Sequence, residues 1–178
     1  MELTDREKNL LHDIVKASIA ARLTGREPGV VQIRSDILKE KRGAFVTLKK
    51  NGRLRGCIGY IDAIKPLYQT VGDMAVAAAF QDPRFPQVNP EEFEHLSFEI
   101  SVLSPLRQIL DIREIEVGKH GLYITKGHHA GLLLPQVAAE YGWERITFLE
   151  ETCGKAGLPP QAWKERDVKI YIFSADVF

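Results

Sequence analysis

The residues best suited to chemistry lie in one short stretch, residues 53–61, where a cysteine stands between two glycines with an arginine just before. Its composition is typical of a β-strand, and strand alternation places Arg55, Cys57 and Gly59 on one face. Same-face neighbours lie about 6.6 Å apart, so the Arg55 guanidinium is expected to reach the Cys57 sulfur. A fixed cation favours thiolate over thiol, which makes Cys57 a candidate nucleophile.

The two glycines beside this cysteine bear on access to the sulfur. Gly59 is expected to leave the space beyond the sulfur open, and Gly56 to let another backbone or a ligand come close. The structural alternative is that a single cysteine in a strand packs as a small apolar side chain, with glycines marking bulges. Both interpretations stay open on the residues alone.

A hairpin is predicted immediately before this strand. Asn51-Gly52 is a strong two-residue turn signal, because both turn positions need positive φ. Regular pairing across such a hairpin sets Leu48 opposite Arg55 and Val46 opposite Cys57. That apolar partner favours a partly buried sulfur, which weakens the interpretation of Cys57 as a reactive group.

A second candidate is the turn at residues 82–86, Asp-Pro-Arg-Phe-Pro. Two prolines make it stiff and project Arg84, so Asp82, Arg84 and Phe85 are candidate ligand-binding residues. The structural alternative is that Asp82 caps the preceding helix and Arg84 forms a surface ion pair.

The histidines give weaker signals. His120, beside Lys119 and just before a predicted strand, is a candidate general acid or base, although a loop histidine is more often a hydrogen-bonded surface group. His128 and His129 are adjacent, so they point apart in a strand or face solvent in a turn. We therefore predict no metal site.

The order of elements predicts an α+β fold. Strand, hairpin, strand, helices and a further strand appear twice, with residues 121–125 resembling residues 43–47. This pattern predicts an internal duplication of halves 1–105 and 106–178. Units of that size would most economically share one largely antiparallel sheet and one core, with helices packed outside.

The chain totals limit the class of protein. Its 178 residues suit a single domain, and 24 lysines and arginines balance 24 aspartates and glutamates. A zero net charge argues against nucleic-acid binding, for which salt-dependent binding would be the required sign. Two cysteines without metal spacing, no secretory leader and no long apolar span favour a reducing cytoplasm and no membrane association. No phosphate loop, dinucleotide fingerprint or nucleophile elbow is present, and no cofactor is predicted.

Seven short motifs occur together and in order along nearly the whole chain. They are Gly-Ala-Phe-Val-Thr-Leu (43–48), Leu-Arg-Gly-Cys-Ile-Gly (54–59), Ala-Ala-Ala-Phe-Gln-Asp-Pro-Arg-Phe (77–85), Ile-Ser-Val-Leu (100–103), Gly-Lys-His-Gly (118–121), Leu-Leu-Pro-Gln-Val-Ala (133–138) and Lys-Ala-Gly-Leu (155–158). With them the chain resembles the AMMECR domain family, whose hallmark is the second motif.

The resemblance implies a duplicated α+β fold around a barrel-like sheet, but no reaction. Prokaryotic members look like component A of a set with a Memo-like protein, related to dioxygenases, and a radical S-adenosylmethionine enzyme. By position, the hallmark corresponds to residues 54–59, the next motif to Asp82, Arg84 and Phe85, and the third to Lys119 and His120. The hypothesis is a component of such a modification system, with Arg55 and Arg84 holding an anionic ligand beside Cys57 and His120 carrying a proton. The alternative is a non-catalytic interaction module; the oligomeric state is not predicted.

Overall fold

The computed structural model describes residues 3–27, 29 and 32–178, and they form two compact units. The first unit runs to Leu103 and also includes Asp176–Phe178, whereas the second comprises Ser104–Ala175. The sequence predicted halves 1–105 and 106–178, a division that places the last three residues in the second half. The assignment of the whole chain as a single domain stays a prediction.

The described residues form five α-helices, three 3-10 helices and eight β-strands. The α-helices are α1 (Asp5–Thr24), α2 (Leu67–Phe80), α3 (Pro90–Phe93), α4 (Pro135–Glu140) and α5 (Arg145–Lys155), and the 3-10 helices are Ile37–Lys39, Ile112–Glu114 and Pro160–Lys164. The strands are β1 (Ala44–Lys50), β2 (Arg53–Tyr60), β3 (Leu96–Leu103), β4 (Arg107–Ile109), β5 (Gly121–Lys126), β6 (His129–Leu133), β7 (Lys169–Phe173) and β8 (Ala175–Val177). Among the described helices, none is long and apolar enough to cross a membrane.

The β1–β2 hairpin has the predicted turn but a different register. Asn51 and Gly52 both have positive φ, 51° and 74°, as the turn requires. Past the turn the register shifts, so that Gly56 faces Leu48 and Cys57 faces Thr47. The predicted pairing of Leu48 with Arg55 and of Val46 with Cys57 is therefore wrong. Arg55 is the extra residue of a β-bulge, which an alternating pattern does not reveal.

The strands form two four-stranded sheets, with orders β2-β1-β3-β8 and β4-β7-β5-β6. The α+β class is confirmed, but the strands do not share one sheet, and the described strands contain no closed barrel. In each sheet, the first strand of a hairpin also pairs antiparallel with a strand that comes later in the chain. A duplication would produce this common order, and the duplication itself stays a prediction.

Each unit has its own hydrophobic core. In the first unit α1 and α2 pack together, and α2 also packs on β1 and β2. Buried alanines of α2 allow a close approach: a Cβ built on Gly56 would lie 2.3 Å from the Ala78 carbonyl oxygen. The expectation that Gly56 admits a second backbone is therefore confirmed, and that backbone is α2. In the second unit α4 and α5 pack on β5, and α5 also contacts β6.

Replacing Gly56 by alanine is expected to destabilise the fold by about 1–3 kcal/mol, because a new methyl group must push the α2 backbone away from β2. The free energy of unfolding from urea titration measures this change. The matched control is Gly154→Ala in α5, where nothing lies within 4 Å of an added Cβ. That control is expected to gain about 0.5–1 kcal/mol from helix propensity. Equal effects of the two substitutions would contradict the packing argument.

Candidate functional site

Five residues of the first unit form the candidate site, which we call the Cys57 cluster. Thr47 comes from β1, Cys57 from β2, and Asp82, Arg84 and Phe85 from the turn after α2. The structure thus brings the Leu-Arg-Gly-Cys-Ile-Gly motif together with the proline-bounded turn. Sequence reasoning named four of these residues and missed Thr47, because its place opposite Cys57 depends on the bulge.

The Cys57 sulfur has a polar neighbour. The Thr47 hydroxyl lies 3.2 Å from the sulfur and donates a hydrogen bond to it. Cys57 is partly buried, whereas the chain's other cysteine, Cys153, is completely buried in the core of the second unit. Burial raises the pKa of the Cys153 thiol. The two cysteines therefore occupy different chemical environments.

Asp82 joins the turn to β2. Its carboxylate is buried, with 4% of the residue exposed, and accepts the Cys57 backbone N–H at 2.9 Å. It also accepts the Arg84 backbone N–H and two guanidinium hydrogen bonds from Arg84, at 2.9 and 2.7 Å. The hydrogen bonds from Arg84 and then from Cys57 hold the pKa of Asp82 well below its usual range, although burial opposes this. Asp82 is therefore a compensated buried anion.

Arg84 completes the contact with β2. Its Nη2 donates to the Cys57 carbonyl at 3.2 Å, and its hydrogen bonds to Asp82 raise its pKa. β2 is an edge strand, so its outward N–H and C=O groups lack a strand partner. Asp82 and Arg84 satisfy these groups at Cys57 and replace a neighbouring strand there. Half of the Arg84 side chain, 53%, stays exposed.

Arg55 contacts a different partner from the one predicted. Its guanidinium binds both carboxylate oxygens of Glu92, at 2.9 and 2.8 Å, and donates to the Pro86 carbonyl, instead of reaching the Cys57 sulfur. Lys50 also pairs with Glu92 at 3.0 Å. Hydrogen bonds from Arg55 and then Lys50 lower the pKa of Glu92, against the effect of burial. The bulge breaks the alternation that placed Arg55 beside Cys57.

Two aromatic rings pack near residues of the motif. The Phe85 ring centre lies 5.7 Å from the Arg55 guanidinium carbon and 5.6 Å from that of Arg84, within cation–π range. At Gly59, a built Cβ would lie 2.3 Å from the Phe45 ring. The expectation that Gly59 leaves open space is therefore wrong, because the cross-strand neighbour Phe45 covers it.

Lys119 and His120 lie in the second unit, in the turn that precedes β5. The Lys119 ammonium pairs with the Glu116 carboxylate at 2.9 Å, and His120 Nδ1 accepts the Glu116 backbone N–H at 3.1 Å. Their proposed roles stay predictions. Within the described ranges, no group of three or more His, Cys, Asp or Glu side chains could hold a metal ion.

Comparisons with known proteins agree with this fold. The AMMECR1 family model matches residues 12–178. A protein of Methanopyrus kandleri is 48% identical over 150 residues, covering 79% of this chain and 72% of that protein. A protein of Aquifex aeolicus is 44% identical over 161 residues, covering 86% and 83%. The crystal structure of Uncharacterized Protein PH0010 from Pyrococcus horikoshii superposes with a TM-score of 0.91 at 40% identity, covering 99% of this chain and 93% of that one.

The chain is an α+β protein whose motifs build a compact cluster around one cysteine. It belongs to the AMMECR1 family, as its motifs indicated.

Replacing Asp82 by Asn is expected to lower the free energy of unfolding at neutral pH by about 1–3 kcal/mol, because Arg84 and the Cys57 N–H lose an anionic acceptor. Because the pKa of Asp82 is lowered in the folded state, the contribution of its carboxylate to the free energy of unfolding depends on pH. Its contribution is complete above the ordinary aspartate pKa of about 3.9 and is lost as the pH falls through the lowered pKa. The gap between wild type and variant should therefore narrow in acid, which urea unfolding over a pH series measures.

The control for this prediction is Asp36→Asn, because the Asp36 side chain is 97% exposed. Its effect is expected to stay within about 0.5 kcal/mol at every pH. A wild-type to Asp82→Asn gap that stayed constant into acid would contradict the assigned role of the carboxylate.

Proposed function

We propose that this protein is a component of a modification system that acts on a small molecule or a macromolecule, with Cys57 as its reactive or ligand-contacting group. In this proposal it works in a reducing, cytoplasmic setting with a Memo-like protein and a radical S-adenosylmethionine enzyme, as its family resemblance suggests. Arg84 holds an anionic group of the ligand, and Phe85 packs against the ligand. The role of His120 as a proton carrier, in the second unit, stays a separate prediction.

The observation that carries the proposal is the way in which Cys57 is held. Its N–H and C=O are both fixed by the Asp82–Arg84 pair, its sulfur accepts a hydrogen bond from Thr47, and the residue is still partly accessible. A side chain that is rigidly positioned in this way is suited to repeated contact with one ligand. Cys153, in contrast, is fully buried in the core of the second unit, where an incoming ligand does not reach its sulfur.

Arg55 has a supporting role in this proposal. Its charge is already paired with Glu92, and only 10% of its side chain is exposed. Arg84 is also paired, with Asp82, but it keeps half of its side chain in solvent and lies at the Cys57 carbonyl, so it is the more accessible cation for an incoming anion. Arg55 then stabilises the Glu92 and Phe85 side of the site.

Iodoacetamide labelling of the native protein tests whether the sulfur is accessible. We expect Cys57 to react and Cys153 to react only after denaturation, because Cys153 is fully buried. In the reaction the Cys57 sulfur forms a bond to the iodoacetamide carbon, iodide leaves with the electron pair of the carbon–iodine bond, and the thiol proton passes to buffer. Peptide mass spectrometry after timed quenching, over a pH series, measures both sites in one sample.

Two results separate this proposal from a structural role. Labelling of Cys57 that appeared only on denaturation would remove the nucleophile hypothesis. A Thr47→Val variant that labelled with unchanged rate and pH dependence would show that the Thr47 hydroxyl has no influence on the reactivity of the sulfur.

A reconstituted system tests the proposed activity. Memo-like and radical S-adenosylmethionine proteins are incubated with a metabolite extract, with and without this protein, and products are compared by mass spectrometry. We expect turnover to need this protein, and Cys57→Ser to abolish turnover while complex assembly persists. The matched control is Cys153→Ala, which removes the other cysteine and is expected to retain both.

The alternative is a non-catalytic interaction module. The observation that favours it is that Asp82 and Arg84 direct most of their hydrogen bonds to Cys57 and to each other, which builds a rigid surface. Retention of both assembly and turnover by Cys57→Ser would favour this alternative and make the sulfur structural.

A further inference from the structure

The second unit contains a cavity that plays no part in the proposed function. It has a volume of about 700 Å³ and is lined by residues of β4, the Ile112–Glu114 and Pro160–Lys164 helices, and β7. We propose that this cavity binds a small organic anion with an apolar body. Every residue that carries the argument lies within the second unit.

Six of the twelve residues that line the cavity are apolar. Ile109 and Ile170 are buried members of the core of this unit, and Ile112, Trp163 and Val168 pack against that core. The Leu110 side chain stands at the cavity almost fully exposed, at 96%. A ligand bound in the cavity would cover part of this apolar side chain.

The charged residues of the lining are unbalanced. Asp111 is paired with Arg113 at 2.7 Å, and Glu165 is paired with Lys126. The remaining two, Arg166 and Lys169, are exposed cations that form no ion pair with any residue the structure describes. The lining thus carries three cations, Arg113, Arg166 and Lys169, against the anions Asp111 and Glu165, and this excess of one positive charge favours an anionic group.

Trp163 is a lining residue that has both an apolar ring and a polar N–H group. Its ring packs against the core, while its indole Nε1 is buried and has no hydrogen-bond partner among the described residues. An unsatisfied buried donor is unusual in a folded protein, and it marks Trp163, a lining residue of the cavity, as a polar group that lacks a partner. The Lys164 ammonium lies 5.1 Å from the centre of the same ring.

These features identify the chemical class of the ligand. A volume of this size matches small-molecule sites, which typically measure about 300–1,000 Å³ and combine apolar walls with a few polar groups. Two unpaired cations beside these apolar residues match one carboxylate or phosphate attached to a hydrocarbon body. Such a ligand would bury its chain against Ile112, Trp163 and Leu110 and direct its anion to Arg166 and Lys169.

The test uses octanoate as the probe and the full chain as the protein. The chain has only two tryptophans, so its indole N–H groups give two resonances in a proton–nitrogen NMR spectrum, assigned with Trp163→Phe. We expect octanoate to shift the Trp163 resonance saturably and to leave that of Trp143, which does not line the cavity, in place. Neutral 1-octanol, which has the same chain length, should bind more weakly.

The double variant Arg166→Gln/Lys169→Gln removes both cations from the exposed rim and is expected to bind octanoate roughly tenfold more weakly. Lys155→Gln is the matched control, an exposed lysine outside the cavity, and should bind like wild type. The dispersion of the backbone resonances checks that each variant is folded.

Three results would overturn the proposal: no saturable shift of Trp163, equal binding by the double variant, or equal binding of 1-octanol. Saturable binding of an acidic peptide in place of octanoate would also overturn it, in favour of a macromolecular partner. None of these results depends on Cys57, so the proposal stands or falls independently of the proposed function.

Discussion

The hydrogen bond from the Cys57 backbone to the buried Asp82 carboxylate is the interaction on which the candidate site depends. A buried carboxylate is costly unless charge and hydrogen bonds compensate it, and here Arg84 supplies the charge. The same arginine returns to the Cys57 carbonyl, so one ion pair satisfies both outward groups of an edge strand. The turn after α2 is thereby fixed against β2 at the cysteine.

The rest of the motif supports this contact by packing. Gly56 lets α2 approach the strand closely enough for the following turn to reach Cys57. The bulge at Arg55 turns that guanidinium toward Glu92, and Phe45 covers Gly59. Several residues of the motif are thus used to build the cluster, and Cys57 itself stays only partly buried. A site of this kind gains precision because few of its atoms are free to move.

Local signals in the sequence match the local structure. Thr4 and Glu7 have the types and spacing of a capping box and form one at the start of α1, and Gly25 ends that helix in the left-handed conformation. Asn51 and Gly52 form the hairpin turn. These features depend on backbone preferences and hydrogen bonds within a few residues, which are legible in the sequence. Strand partners depend on distant residues, and so the prediction of one shared sheet failed.

Residue types and short spacings were sufficient to predict the α+β class, the family and the two motifs that meet at the cluster. Which cation lies at Cys57 depends on contacts that form only in the folded protein. A single extra residue in β2 moved Arg55 to Glu92 and set Thr47 opposite the cysteine, while the packing of α2 brought Arg84 to its backbone. Bulges and helix packing arise from contacts between distant segments, so alternation along one strand could not predict them.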